Sequence, residues 1–434
     1  EFAIRKEVEH FINTYIKEEG GTQKKEELVQ LATTSKDVSI RNMANAILII
    51  SKWFEDEDNL DIDTFFPYLR QYVILVYVAS SELEDAFRLF TVLNDRGIKL
   101  RNSDILKAQN LKEVSTEQKQ TEYAKYWEEL EGELGEDFDL FLSYIRTILV
   151  KEKARHNLLK EFEDNIYHPK KYNQSTKKYE KAEPLLKKGD ETFDIIKKYK
   201  IHFDIIFSGN NYHITHNWAF DNLIKVMQDT ALSDIWIPPL LVYRHYFGDY
   251  KILDFLILLD NKFSGDWIAR ETPTTRIDAM NSIIKKIEEI DALQDFTKDE
   301  KLRTLFEDVV FKFNSAQFLS DLDVNTIYGR RFARYILRKV DFLLDAPLYS
   351  EKRSSYNEMS VEHILPQTSS EECWQKEIAG LSEFEIKKLT NSLGNLVPLS
   401  SAKNSKLQNG GFGETFKAEQ EPLEEIEIDI DNKD

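Results

Sequence analysis

The sequence has a single cysteine, Cys373, among its 434 residues. Disulfide bonds within the chain and zinc sites built from several thiolates are therefore excluded. Glycine and proline are scarce, at 15 and 10 residues, which disfavours linker-rich and sandwich folds. No apolar run reaches the roughly 20 residues that span a bilayer, and no signal-peptide core is present. These absences predict a helix-rich, soluble, cytoplasmic protein that makes no membrane contact.

A surplus of positive charge is also absent, because the formal net charge is -19. A uniformly acidic surface repels nucleic acid, so any contact with DNA or RNA requires local basic patches. The length predicts two or three domains. Because the first residue is not methionine, we expect the chain to be a fragment of a longer protein.

Apolar residues recur at three- and four-residue intervals through most of the chain, which predicts a mainly α-helical body over residues 1–345 with a soft boundary near residue 113. Residues 167–200 differ, since they are rich in lysine with scattered proline, glycine and serine, and they predict a mobile connection. Two interpretations of these lysines stay open. They either contact the DNA backbone or form the ordinary solvated surface that charge runs usually are.

A second basic pattern lies near the end of the helical body. Arg330, Arg334 and Arg338 are spaced four residues apart and predict one basic helical stripe, with Arg331 and Lys339 beside it. Phosphate binding by this stripe and pairing of its arginines with the surplus carboxylates explain the pattern equally well.

The stretch MSVEHILPQT at 359–368 predicts a short strand and a turn, and NLVPLS at 395–400 predicts a second strand. SAKNSKLQN at 401–409 then predicts a helix. Strand, strand and helix is the order of a ββα-metal unit. The sequence therefore predicts a multi-helical body followed by this small unit.

The polar residues of this unit have distinct expected roles. Glu362 and Asn404 would supply two oxygen ligands and leave positions open for water and a phosphate oxygen, which suits Mg²⁺. His363 can be neutral at pH 7 and take a proton from an attacking water. Asn395 would join the strands through its amide and hold the loop of His363. Because neighbours on a strand point to opposite faces, a bend before Pro366 is expected.

VEHILPQT, Trp374 and NSLGNLVPLSSAKNSKLQN together resemble the C-terminal HNH nuclease domain of GmrSD-type modification-dependent (type IV) restriction enzymes. The Asn-Leu strand and the nine-residue step from Asn395 to Asn404 are also similar to the HNH domain of RNA-guided CRISPR nucleases. The resemblance implies His363 as general base, Glu362 and Asn404 as metal ligands, and Asn395 as the residue that orients the loop. It implies a divalent metal, Mg²⁺ or alternatively Mn²⁺. Glu362 stands where many HNH nucleases carry Asp, and Asn404 where many carry His.

Residues 85–111 carry a second resemblance, to the end of the N-terminal domain of the same enzymes. The matching residues are Phe90, Leu93, Asn94, Gly97, Leu100, Asp104 and Lys107. By itself this pattern predicts a helix, a turn at Gly97 and a helix capped near Asn102 or Ser103. The Asp-Gly-Gln-Gln-Arg nucleotide motif of that family and a Gly-rich Lys-Ser/Thr loop are both absent, so we expect no NTP hydrolysis.

The resemblance thus implies an endonuclease of a phage-defence restriction system that acts on double-stranded DNA, including modified phage DNA. One such site cuts one strand, so a monomer would nick and a double-strand break would require a homodimer or two events. Lys403 and Lys406 join the four arginines as expected DNA contacts. The alternative is a catalytically silent module that binds DNA or protein. The expected segments are a helical remnant of the NTPase or sensor domain (1–113), a helical middle region (114–345), the HNH unit (346–418) and an acidic tail (419–434).

Overall fold

The computed structural model describes residues 6–35, 37–55, 61–74, 101–323, 327–344, 350–352 and 359–400. These fall into two compact units, the first within residues 1–142 and 186–193 and the second within 143–185 and 194–434. The predicted mainly helical architecture is confirmed, since short strands are few. None of the helices described is both long enough and apolar enough to cross a lipid bilayer.

The first half of the chain is built from helices. Their bounds are α1 (Lys6–Phe11), α2 (Lys25–Thr34), α3 (Val38–Glu55), α4 (Ile62–Tyr72), α5 (Asn102–Lys112), α6 (Glu117–Leu134), α7 (Phe138–Val150), α8 (Leu158–Glu161) and α9 (Asp190–Phe207). Two π-helical turns, Ile12–Lys17 and Phe162–Tyr167, follow α1 and α8. Strands β1 (Lys170–Asn173) and β2 (Lys178–Lys181) precede α9.

The second half continues in the same way. Its helices are α10 (Tyr212–Thr215), α11 (Ala219–Thr230), α12 (Ile237–Phe247), α13 (Ile252–Ile268), α14 (Pro273–Asp291), α15 (Lys298–Phe306), α16 (Ser315–Leu322), α17 (Ala333–Leu344), α18 (Glu372–Glu377) and α19 (Glu383–Thr390). Its strands are β3 (Met359–His363) and β4 (Leu396–Ser400). Each pair of strands, β1 with β2 and β3 with β4, is antiparallel.

Aromatic packing organises the core of the first unit. The Trp127 side chain is fully buried and meets the rings of Phe138 and Phe193 edge-on, with centroids 5.0 and 5.6 Å away. Tyr123 stacks on Phe193 at 4.5 Å. Such ring pairs add to the free energy gained by burying apolar area.

Helix α5 forms the last part of the second family-like segment, and its cap differs from the prediction. The N-cap is Arg101 rather than Asn102 or Ser103. Its backbone N–H donates to the Asp104 carboxylate at 3.0 Å, and the Ser103 N–H donates to Asp139 at 3.1 Å. The Asp139 carboxylate of α7 therefore accepts from an N-terminal N–H of α5 that a local capping side chain was expected to pair with. The predicted helix and turn before residue 101 lie outside the described residues.

The core of the second unit lies between α12, α13 and α14. Tyr243 stacks on Phe255 with ring centroids 4.0 Å apart. The buried Asp260 carboxylate accepts hydrogen bonds from the Tyr335 hydroxyl and the Lys339 ammonium group. Because a buried carboxylate is costly without partners, this contact ties α17 to α13. Lys339 is therefore engaged inside the protein.

Residues 167–200 are more ordered than the predicted mobile connection. Phe193, Ile196 and Tyr199 are buried on one face of α9, at the three-residue spacing that a helix places on one side. The composition predicted a connection because the abundant lysines masked this apolar spacing.

The predicted arginine stripe is not formed as one surface. Arg330 and Arg331 precede α17. Arg334 is exposed, whereas Arg338 is only 2% exposed. Helix α17 packs against both α11 and β4, so much of its circumference is buried, including the position of Arg338. Arg338 is therefore buried and not part of a DNA-contacting surface, whereas DNA contact by Arg330, Arg331 and Arg334 stays a prediction.

His202 in α9 contacts Arg244 in α12, and this contact affects the protonation of the histidine. A terminal guanidinium nitrogen of Arg244 lies 2.8 Å from Nδ1 of His202. The Arg244 Nε lies 2.8 Å from the Asp249 carboxylate. A guanidinium group can only donate, so Nδ1 must be unprotonated to accept. Burial and the charge of Arg244 lower the pKa of His202 to about 4.

We expect this contact to make the free energy of unfolding depend on pH. The unfolded histidine, with a pKa of 6.5, binds a proton more readily than the folded one, so the stabilisation is complete above that value and is lost as the pH falls towards 4. For this partly exposed ring the loss between pH 7 and pH 5 would be about 1 kcal/mol. His202→Gln keeps an acceptor without titrating. Urea unfolding at both pH values should therefore show a smaller loss in this variant, and equal losses would contradict the expectation.

Candidate active site

The two strands predicted for the last part of the chain are present and paired. The register places Val361 opposite Pro398, Glu362 opposite Val397 and His363 opposite Leu396. Pairing is regular through His363, and the expected bend before Pro366 follows this residue, at Ile364 and Leu365. The Glu362 carboxylate turns towards the backbone and accepts the His363 N–H at 3.0 Å.

Asn395 connects the segment that follows β3 to the turn that precedes β4. Its side-chain oxygen accepts the Leu365 N–H at 2.7 Å, and its amide nitrogen donates to the carbonyls of Leu365 at 3.0 Å and Thr390 at 2.9 Å. Its own carbonyl accepts the Ile364 N–H at 2.9 Å. One residue thus holds the two positions after His363 by several hydrogen bonds. These are the contacts that a residue orienting the His363 loop needs.

His363 ends β3 in a buried position, with 8% of its surface exposed. Its Nε2 is fully buried and has no hydrogen-bond partner among the described residues. A buried polar atom left without a partner costs about 1–3 kcal/mol. Burial lowers the pKa of His363, while the Glu362 charge and a hydrogen bond with the Asn391 side chain act in the opposite direction. The imidazole is therefore favoured in its neutral, proton-accepting form.

Two neighbours of His363 were missed by the sequence analysis. The Tyr328 ring lies 4.2 Å from the His363 ring, centroid to centroid. Tyr328 belongs to a 3₁₀ turn, Ile327–Gly329, whose first N–H donates to the Asn391 carbonyl at 3.1 Å. Tyr328 precedes His363 by 35 residues, so no local spacing connects them. Asn391 lies four residues before Asn395, but no sequence pattern distinguishes it as a site residue.

The ligand set of the proposed metal is only partly within the described residues. The Glu362 carboxylate is half-buried beside His363 and is a hard oxygen donor of the kind that Mg²⁺ prefers. Asn404, Lys403 and Lys406 lie outside the described residues. In the parts of the chain that the structure describes, no three His, Cys, Asp or Glu side chains lie close enough together to hold a metal ion. The donor chemistry of Glu362 fits, and an amide oxygen from Asn404 would complete a two-residue set.

Comparison with protein families assigns both ends of the chain. Residues 2–111 match the N-terminal domain of the GmrSD restriction endonucleases, and residues 313–433 match their C-terminal domain. The second match includes the strand pair, His363, Asn395 and the turn of Tyr328. No curated protein matches the chain. With the two domains matched in their order along the sequence, the chain belongs to the GmrSD family of restriction endonucleases.

Proposed function

We propose that the chain is a metal-dependent DNA endonuclease of the HNH type in a restriction system, and that His363 is its general base. The observation that carries the proposal is the buried Nε2 of His363 without a partner at the end of β3, within the segment that matches the restriction endonuclease domain. In the reaction, Nε2 accepts a proton from a water molecule whose oxygen attacks phosphorus. The bond from phosphorus to the 3′ oxygen then breaks.

The residues around His363 support this role by position. Asn395 holds the backbone that follows His363, and the Tyr328 ring limits the movement of the imidazole. A base contributes most when it is held at a fixed distance from the atom it deprotonates. Asn395 and Tyr328 are therefore positioning residues in this proposal, since they act through His363 and not on the substrate.

Glu362 and Asn404 would hold the divalent cation, with Mg²⁺ as the proposed ion. When bound there, the cation would stabilise negative charge on the phosphate and on the departing oxygen. Glu362 would contribute the carboxylate oxygen that does not accept the His363 N–H. Mn²⁺ is the alternative, because it also accepts oxygen ligands in an octahedral arrangement.

Supercoiled plasmid DNA incubated with the chain and Mg²⁺ or Mn²⁺ tests the proposed function. We expect the nicked circle to form first, because one site hydrolyses one strand, and linear DNA to follow only as nicks accumulate. Chelation of the metal should stop the reaction. Phage DNA that carries modified bases serves as the second substrate, because the predicted substrates include modified phage DNA.

The order in which the products form separates the possible outcomes. Linear DNA produced in a single encounter by a monomer would contradict the one-site proposal. Absence of cleavage of both substrates with both metals, together with retained DNA binding, would instead favour the catalytically silent binding module.

A further inference from the structure

A short antiparallel hairpin in the second unit, formed by β1 and β2, has no role in the site described above. Its strands pair with Lys170 opposite Lys181 and Tyr172 opposite Tyr179. Nearly every residue of both strands is exposed. Since side chains alternate along a strand, these two cross-strand pairs lie on one face of the ribbon.

The hairpin is strongly basic in an otherwise acidic chain. Residues 169–182 contain five lysines and one acidic residue, Glu180, in a protein whose net charge is -19. The Glu180 carboxylate accepts hydrogen bonds from the side chains of Asn173 at 2.9 Å and Thr176 at 2.7 Å. Its contacts therefore stabilise the turn, and the hairpin keeps a local excess of positive charge. Because the protein as a whole is acidic, contact with DNA requires a local basic patch of this kind.

Two tyrosines on the basic face are unusually accessible. Tyr172 is 48% exposed and Tyr179 is 71% exposed, and their rings meet at 5.3 Å and 65°. Large aromatic side chains are costly to leave in water and are enriched where proteins bind other molecules. Their hydroxyl groups can also donate to phosphate oxygens, a frequent contact in protein–DNA complexes.

The base of the hairpin is firmly attached to the protein. Ala182 donates its N–H to the carbonyl of Pro169, and Leu185 donates to that of Ile166, both at 2.9 Å. Ile166 and Tyr167 are buried in the π-helical turn that leads into β1. An anchored base with an exposed ribbon loses little conformational entropy when the ribbon binds a partner.

We propose that this hairpin binds duplex DNA, with its lysines on phosphates and the tyrosine pair against the groove. The major groove of B-DNA admits a two-stranded β-ribbon, and the opposite charges of ribbon and phosphate favour the approach. The choice of duplex DNA rests on the proposed nuclease function. The proposal adds a substrate-binding element that is separate in sequence from the hydrolytic residues.

The test compares two variants of equal net charge. The first replaces four hairpin lysines with glutamine, namely Lys170, Lys171, Lys178 and Lys181. The second replaces four exposed lysines elsewhere with glutamine, namely Lys52, Lys112, Lys125 and Lys285. Binding to a short fluorescent DNA duplex is measured by anisotropy over a range of salt concentrations, with divalent cations removed by a chelator so that binding is read without cleavage.

We expect the hairpin variant to bind at least about tenfold more weakly and to lose about two to three units of the salt slope, while the control variant stays near the unmodified chain. Equal weakening of both variants would overturn the proposal, because it would reflect net charge alone. Unchanged binding by the hairpin variant, or hairpin-dependent binding to duplex RNA and not DNA, would overturn it as well.

The tyrosine pair is tested separately so that folding and binding are not confused. Tyr172→Phe with Tyr179→Phe keeps both rings and removes both hydroxyls, and we expect a loss of affinity of about two- to tenfold with an unchanged thermal midpoint. A DNA affinity equal to that of the unmodified chain would exclude the hydroxyls from the contact. Cleavage with no dependence on the hairpin would refute this inference alone. Hairpin-dependent binding without cleavage would instead refute the proposed function.

Discussion

Replacement of His363 by alanine is expected to lower the rate of DNA cleavage by about 100- to 10,000-fold, the usual contribution of a general base. DNA affinity should change little, because the imidazole is buried and the proposed binding surfaces lie elsewhere. The rate is measured as the first-order disappearance of supercoiled plasmid at saturating protein. The control is His213→Ala, since the His213 side chain is exposed and the proposal gives it no role. Cleavage by His363→Ala at the unmodified rate would remove His363 from the mechanism.

Imidazole added to the reaction distinguishes a missing base from a damaged fold. The His363→Ala variant leaves a cavity beside Tyr328, and a small base that enters it would restore part of the rate. The rescue should increase with the concentration of neutral imidazole. His363→Gln, which fills the space with an amide, should be inactive and should not respond to imidazole. Equal responses of the two variants would show that imidazole does not act in the cavity.

The Asn395→Ala variant is expected to lose activity for a different reason. It removes the side-chain hydrogen bonds to Leu365 and Thr390, so the segment after His363 is no longer held against the turn before β4. A displacement of about 1 Å at a reacting group can cost about 100-fold in rate. We therefore expect kcat to fall by about 10- to 100-fold while KM changes little.

Added imidazole should not rescue Asn395→Ala, because the base is still present but misplaced. Ser392→Ala serves as the matched control, since Ser392 lies in the same turn and donates its hydroxyl to Leu389 without contacting the His363 loop. A thermal midpoint above the assay temperature confirms that the variant is folded. A change confined to KM, or an equal loss in Ser392→Ala, would contradict a positioning role for Asn395.

Local patterns anticipated most of the secondary structure, because helices and turns form from interactions between residues close in sequence. The apolar spacing over residues 1–345 predicted the helical body, and the alternation within 359–368 predicted the short strand that forms β3. β4 begins at Leu396, one residue after the predicted start. The pattern failed in α9, where the lysine-rich composition of residues 167–200 concealed the apolar residues that decide which face is buried.

The sequence by itself determined the family, the two strands of the site and the identity of Glu362, His363 and Asn395 as candidates, since these depend on residue type and local order. Only the tertiary structure decided that Arg338 is buried, that Tyr328 lies against His363 and that lysines and tyrosines share one face of a hairpin. Burial and long-range contact depend on how helices and strands pack, and the packing of α17 against β4 joins residues that no spacing along the chain relates.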